Sequence, residues 1–132
     1  MSTDSNEPPT PRPGQLSWMD LTIPDADAVS AFYHEVVGWK VMPLSMGDYD
    51  DYVMTDPATD AAVAGVCHAR GVNSDLPPQW LLYITVDKLE ERIARCKELG
   101  GEILGGIRSL GASGRFCVIR DPAGAVMALH ER

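Results

Sequence analysis

The sequence is short of positive charge, of long apolar runs and of paired cysteines, and each shortage removes a class of function. Lys and Arg total 11 against 19 Asp and Glu, a formal net charge of −8. A nucleic-acid surface needs clustered Lys and Arg, so that partner is excluded; the acidity speaks first to solubility. No apolar stretch approaches the roughly 20 residues of a membrane span, and the N-terminus has no apolar signal core. The three cysteines, Cys67, Cys96 and Cys117, are odd in number and lack CxxC spacing. Neither a disulfide frame nor a zinc knuckle is indicated, which suits a reducing, cytoplasmic setting. Phosphate loop, dinucleotide fingerprint and serine elbow are missing too. The glycine-rich GGIRSLGASG leads into a strand and not a helix, so it lacks the helix N-terminus that binds phosphate.

What is present is a passage stated twice. WMDLTIPDADAVSAFYHEVVGW (Trp18–Trp39) returns 62 positions later as WLLYITVDKLEERIARCKELGG (Trp80–Gly101). Trp18 answers Trp80, Asp25 answers Asp87, and Gly38 answers Gly100. A period that long, occurring twice, describes two similar half-domains within a length that suits one domain.

In chain order, residues 1–14 hold four prolines and almost no apolar side chain, and read as a flexible tail. A strand from Gln15 alternates Leu16, Trp18, Asp20 and Thr22 on one face against Met19, Leu21 and Ile23 on the other. Asp25 is placed to cap a helix whose buried stripe is expected at Val29, Phe32, Tyr33, Val36 and Val37, with Gly38 as its stop. Strands are expected at Trp39–Leu44, Tyr49–Thr55 and Ala62–Cys67, separated by the turn compositions MGD and DPATD. Ala69–Gln79 reads as a linker. The second half repeats the order: a strand Trp80–Val86, then a capping box of Asp87 and Glu90. A buried stripe follows at Leu89, Ile93, Cys96 and Leu99, then strands Glu102–Ile107, Arg115–Arg120 and Ala125–His130. The domain therefore runs over 15–132, as module one (15–68), linker (69–79) and module two (80–132), each strand–helix–three strands.

This order, with D-x6-FY-x4-GW at Asp25–Trp39, LGG at Leu99–Gly101 and DPAG at Asp121–Gly124, resembles the vicinal oxygen chelate superfamily of glyoxalases, bleomycin-resistance proteins and extradiol dioxygenases. The resemblance implies an α+β fold in which two βαβββ modules form an incomplete eight-stranded barrel around a small-molecule cavity. The family's metal ligands would fall at Trp18, Gly65, Trp80 and Ala128. None of these side chains offers a lone pair suited to a divalent metal. No metal or cofactor is therefore expected. A shifted ligand set would have to come from Asp20, Cys67 or His68, and His130.

The expected function is binding or sequestration of a small aromatic or cationic molecule, with Trp18, Asp20, Trp80, Leu82, Ala128 and His130 as ligand-binding residues. Flat indoles suit stacking on planar or cationic groups, and Asp20 adds a carboxylate. Packing is the competing role for the tryptophans. The alternative function is a glyoxalase-like lyase, isomerase or dioxygenase-type enzyme, metal-free or using the shifted set. A homodimer is left open.

Overall fold

The structure is a computed structural model that describes residues 10–132, with every side chain there but that of Val72. The expected tail lies outside the described residues over 1–9. Its last residues are tied down: Gln15 N donates to Arg12 O, and Gly14 N donates to Thr85 O.

Ten principal elements follow in order: β1 (Leu16–Ile23), α1 (Ala26–Val37), β2 (Lys40–Ser45), β3 (Asp50–Thr55), β4 (Ala62–His68), β5 (Trp80–Thr85), α2 (Leu89–Glu98), β6 (Glu102–Ser109), β7 (Arg115–Arg120) and β8 (Val126–Glu131). These are the two βαβββ modules of the α+β reading. Two single 3-10 turns, Gly71–Asn73 and Gly111–Ser113, lie in the connections. By packing, the described chain divides into a first unit, Trp18–Leu82, and a second unit, Tyr83–Arg132 together with residues 10–17. Among the described residues no helix is long and apolar enough to cross a membrane.

In the first unit the strands run β2-β3-β4-β1. β1 lies parallel to β4, as a crossover through α1 requires, while β2, β3 and β4 are antiparallel neighbours. Leu21, Ile23, Met54, Ala64 and Val66 form the buried core with Ala26 at the start of α1. Asp25 caps α1, its Oδ1 accepting from Ala28 N at 3.1 Å. Gly38 ends the helix in the left-handed region. The stripe differs from the expectation. Ala26 and Ser30 are buried and Val29 and Tyr33 half-buried, but Phe32, Val36 and Val37 are exposed, Val36 to 64%. Small residues let the helix approach the sheet closely, and Ser30 Oγ spends its donor on Asp27 O at 3.0 Å. The larger apolar groups fall outside that narrow contact.

The second unit repeats the order as β5-β8-β7-β6, with β5 parallel to β8. Leu89, Cys117 and Ile119 are buried against Ile93, Cys96, Ile103, Met127 and Leu129. The repeat is exact in the Asp-Pro turns. Asp56 Oδ1 accepts from Ala58 N, and Asp121 Oδ1 accepts from Ala123 N, both at 2.8 Å. It breaks at the second helix start. Lys88, left-handed at φ 51°, occupies the cap and makes no side-chain cap bond. Leu89 N instead donates to Glu131 Oε2 of β8 at 3.1 Å, and Asp87 is held by Arg92 at 2.7 Å. Leu99, expected on the stripe, is exposed.

Arg115 joins that helix start to the sheet. Its two terminal nitrogens reach the Glu90 carboxylate at 2.7 and 2.9 Å, and it also binds Glu131. The guanidinium holds Glu90 down to about 2 and Glu131 below its usual value. Carboxylates depressed by folding contribute stability that is fully present above their unfolded values near 4.5 and is lost as pH falls toward 2. Urea midpoints measured at pH 6 and pH 3 are therefore expected to fall less in Arg115→Met than in the parent. An equal fall in both proteins would show that these exposed pairs are fully screened.

Candidate functional site

The side of the first unit's sheet turned away from α1 carries the candidate site. Strand alternation puts Trp18, Asp20 and Thr22 of β1 on that side, opposite the core residues Leu21 and Ile23. Register then sets a row across the four strands: Asp20 beside Gly65, Gly65 beside Val53, and Val53 beside Met42. Gly65 leaves the middle of the row without a side chain. A Cβ there would lie 3.1 Å from Asp20 Cβ and 3.6 Å from both Cζ2 and Nε1 of Trp18. The indole therefore lies across the glycine with a carboxylate at its side. One row along, Asp51 neighbours Leu44.

Asp51 is 8% exposed, a buried carboxylate. It accepts from His68 N at 2.8 Å and from the Cys67 thiol. Burial, aided by Asp20 and Asp51, pushes the Cys67 thiol far up, so it stays protonated and is a poor nucleophile. Met42 and Leu44 stand more than half exposed on this same side. The arrangement sets a flat aromatic surface beside apolar neighbours and negative charge.

The other expected site residues are placed as follows. Trp80 does not join Trp18. Its Nε1 donates to Tyr33 Oη at 3.1 Å, and its ring packs edge-on to Tyr33 and Trp39 at 5.2 and 5.9 Å, on the α1 side of the sheet. Tyr33 and Trp39 are the FY and GW residues of the motif, so the motif holds Trp80 in an aromatic cluster of the first unit. Leu82 is exposed. Ala128 is fully buried in the second unit, beside Tyr83 and Val118. His130, 4% exposed, has both ring nitrogens engaged: Nδ1 lies 3.0 Å from Ser17 Oγ, and Nε2 donates to Ser113 O at 2.7 Å.

A divalent metal does not fit these residues. Trp18, Gly65, Trp80 and Ala128 supply no donor at the family's ligand positions. Of the shifted set, the Cys67 thiol is hydrogen-bonded to Asp51, and His130 gives Nε2 to Ser113 O and sets Nδ1 against Ser17 Oγ. His68 Nδ1 donates to Pro24 O, with Nε2 3.4 Å from Asp27. Among the described residues no group of three His, Cys, Asp or Glu side chains could hold a metal ion.

On the far side of the same sheet, Ser30, Ala31, His34 and Val41 border an open depression of about 360 Å³. His34 Nδ1 is committed to Trp39 O at 2.6 Å there. The depression brings together few polar groups and is a weaker candidate.

Sequence reasoning missed Asp51 on this face. Asp51 sits in the acidic run DYDD, and only its pairing opposite Leu44 shows which side it takes.

A family model described as the Glyoxalase/Bleomycin resistance protein/Dioxygenase superfamily matches residues 15–129. CFP32 of Mycobacterium tuberculosis, which carries the provisional name of a glyoxylase, is 30% identical over 124 residues, covering 91% of this chain and 46% of its own length. The anthracycline biosynthesis protein DnrV of Streptomyces peucetius is 30% identical over 132 residues, covering 91% of this chain and 48% of its own. The chain thus spans about half the length of the curated relatives it matches. Among solved structures, methylmalonyl-CoA epimerase from Mycobacterium tuberculosis superposes with a TM-score of 0.57 at 17% identity, over 96% of this chain and 93% of that one. A superfamily member from Vibrio splendidus superposes at 0.56 and 16% identity, over 89% and 100%. At such identities the structures bear on the fold alone.

Proposed function

Because the chain belongs to the glyoxalase/bleomycin resistance protein/dioxygenase superfamily, we propose that it binds a small planar or cationic molecule on the Trp18–Asp20–Gly65 face, without a metal. The observation that carries this reading is the indole laid over a glycine floor with a carboxylate beside it. A side chain at position 65 would fill the floor, and a neutral residue at position 20 would leave only apolar contact. Asp51, buried on the same side, deepens the negative potential that a cation would meet. The name of the Streptomyces peucetius relative makes an anthracycline, a fused planar ring system with an amino sugar, a rational first probe.

Binding is tested by thermal shift and titration calorimetry, since a ligand held only by the folded state raises its apparent stability. A cation over an indole contributes about 0.5–2 kcal/mol, according to how dry the site is. Trp18→Ala is therefore expected to weaken an anthracycline or a smaller planar amine by several-fold to thirty-fold. Asp20→Asn is expected to weaken the amine more than its neutral analogue of the same shape. Equal affinity of Trp18→Ala and the parent would leave the indole as packing and end this reading.

A further inference from the structure

The second unit holds a polar cluster that the ligand face does not use. His130 Nε2 lies 2.7 Å from Ser113 O, and since a carbonyl only accepts, Nε2 carries the ring's proton. In the neutral ring Nδ1 then keeps its lone pair, 3.0 Å from Ser17 Oγ. Ser17 Oγ also has Tyr83 O at 3.1 Å as a second acceptor. The hydroxyl proton can thus point to Nδ1 or swing to Tyr83 O without any heavy atom moving. These contacts are those of a nucleophile, a base and the group that orients the base. His130 is buried and its geometry fixed, Ser17 is half-buried, and Ser113 lies in the exposed turn Gly111–Ser113.

A separate observation points to a missing partner. Thr85 is 5% exposed, and its Oγ1 is buried without a hydrogen-bond partner among the described residues. β5 and β8 pair in the register Thr85 beside His130, so this unspent hydroxyl stands next to the base. A buried hydroxyl left unpaired is costly and invites an acceptor to bind it.

We propose that Ser17, His130 and Thr85 form a metal-free acyl-transfer site for small activated esters. Ser17 Oγ attacks the ester carbonyl carbon, forming an Oγ–C bond, while its proton passes to His130 Nδ1. The carbonyl oxygen takes the Thr85 hydroxyl as donor as negative charge develops on it. The C–O bond to the alcohol then breaks, and His130 returns the proton to the leaving oxygen. Water, deprotonated by the same nitrogen, cleaves the acyl-serine to release the acid and restore Ser17. No oxidant, reductant or further reactant is needed.

The whole chain is treated with a serine-directed fluorophosphonate and mapped by mass spectrometry, and separately mixed with p-nitrophenyl acetate. One phosphonyl group per chain on Ser17 is expected, with a burst of about one equivalent of p-nitrophenol. Ser17→Ala is expected to remove both while the circular dichroism spectrum is retained. Thr85→Val, which keeps the shape and removes only the hydroxyl, is expected to slow the burst at least tenfold with no loss of thermal midpoint. His130→Gln is expected to slow labelling at least a hundredfold. The proposal is overturned if Ser17 escapes labelling, if the burst survives Ser17→Ala, or if Thr85→Val reacts as fast as the parent.

Discussion

Gly114→Ala is expected to destabilise the protein by on the order of 3–5 kcal/mol, far beyond an ordinary glycine-to-alanine change. Two costs coincide at this residue. Its φ of 102° and ψ of −146° lie in a region that residues with a Cβ scarcely enter. A Cβ there would also stand 2.1 Å from Glu131 O and 2.7 Å from Arg132 Cα, and backbone cannot turn aside as a flexible side chain can. Gly124 separates the two terms, because at φ 94° its Cβ would meet nothing within 4 Å. Gly124→Ala is thus expected to cost about 1–2 kcal/mol from conformation alone. Urea unfolding of both variants checks the difference, and equal losses would show that the β7–β8 start yields without strain. Gly114 also closes the turn that carries Ser113, its carbonyl accepting from Leu110 N at 2.7 Å. Loosening it is expected to slow the Ser17 burst as well, through the misaligned His130.

The features that local chemistry dictates were legible in the sequence, and those set by distant chain were not. Asp25 caps α1 with its own carboxylate, and Gly38 stops it in the left-handed region, both fixed by neighbours a few residues away. The Asp-Pro turns at Asp56 and Asp121 are equally local, and they mark the two modules. Asp87 and Glu90 have the same local credentials, yet α2 takes its cap from Glu131, some forty residues on. Arg115 explains the change: by drawing Glu90 and Glu131 together it occupies the capping glutamate and brings an alternative acceptor to Leu89 N. The stripe of α1 failed for a different reason. Periodicity says which residues share a face, but not how close the sheet comes, and a close approach favours Ala26 and Ser30 over Phe32 and Val36.

The candidate site divides along the same line. Trp18 and Asp20 share a face by strand alternation, a rule internal to β1, and the structure brings them together over Gly65. Trp80 was paired with Trp18 by the repeat, an argument from analogy between modules. A Tyr33 hydroxyl within 3.1 Å of its indole nitrogen and the ring of Trp39 give it a different home. Removing an aromatic from such a cluster costs packing more than recognition. The indole that sequence pairing made a second wall is half-buried and packs against the core of the first unit.

Gly65→Val is expected to weaken the proposed binding on the Trp18 face at least tenfold while leaving the protein folded. The position has no positive φ to protect, so a side chain is strained only by what it meets. Its Cβ would stand 3.1 Å from Asp20 Cβ, which must give by a few tenths of an ångström, and 3.6 Å from the indole, an ordinary contact. The γ-methyls of valine reach beyond Cβ into the space the indole crosses, lifting it off the sheet and separating it from the carboxylate. Valine is favoured in strands over glycine by up to about 1 kcal/mol, which offsets part of the crowding. The net change in stability is accordingly expected to stay within about 1.5 kcal/mol. Affinity for a planar amine, by contrast, is expected to drop at least tenfold, since stacking and charge pairing are lost together. Gly65→Ala is the graded control, retaining part of the affinity because the indole contact remains at van der Waals distance. Calorimetry on the two variants beside their unfolding midpoints distinguishes the outcomes. Full affinity in Gly65→Val would mean that the ligand does not use the floor beneath Trp18, and the face would then be a packed surface with no recognition role.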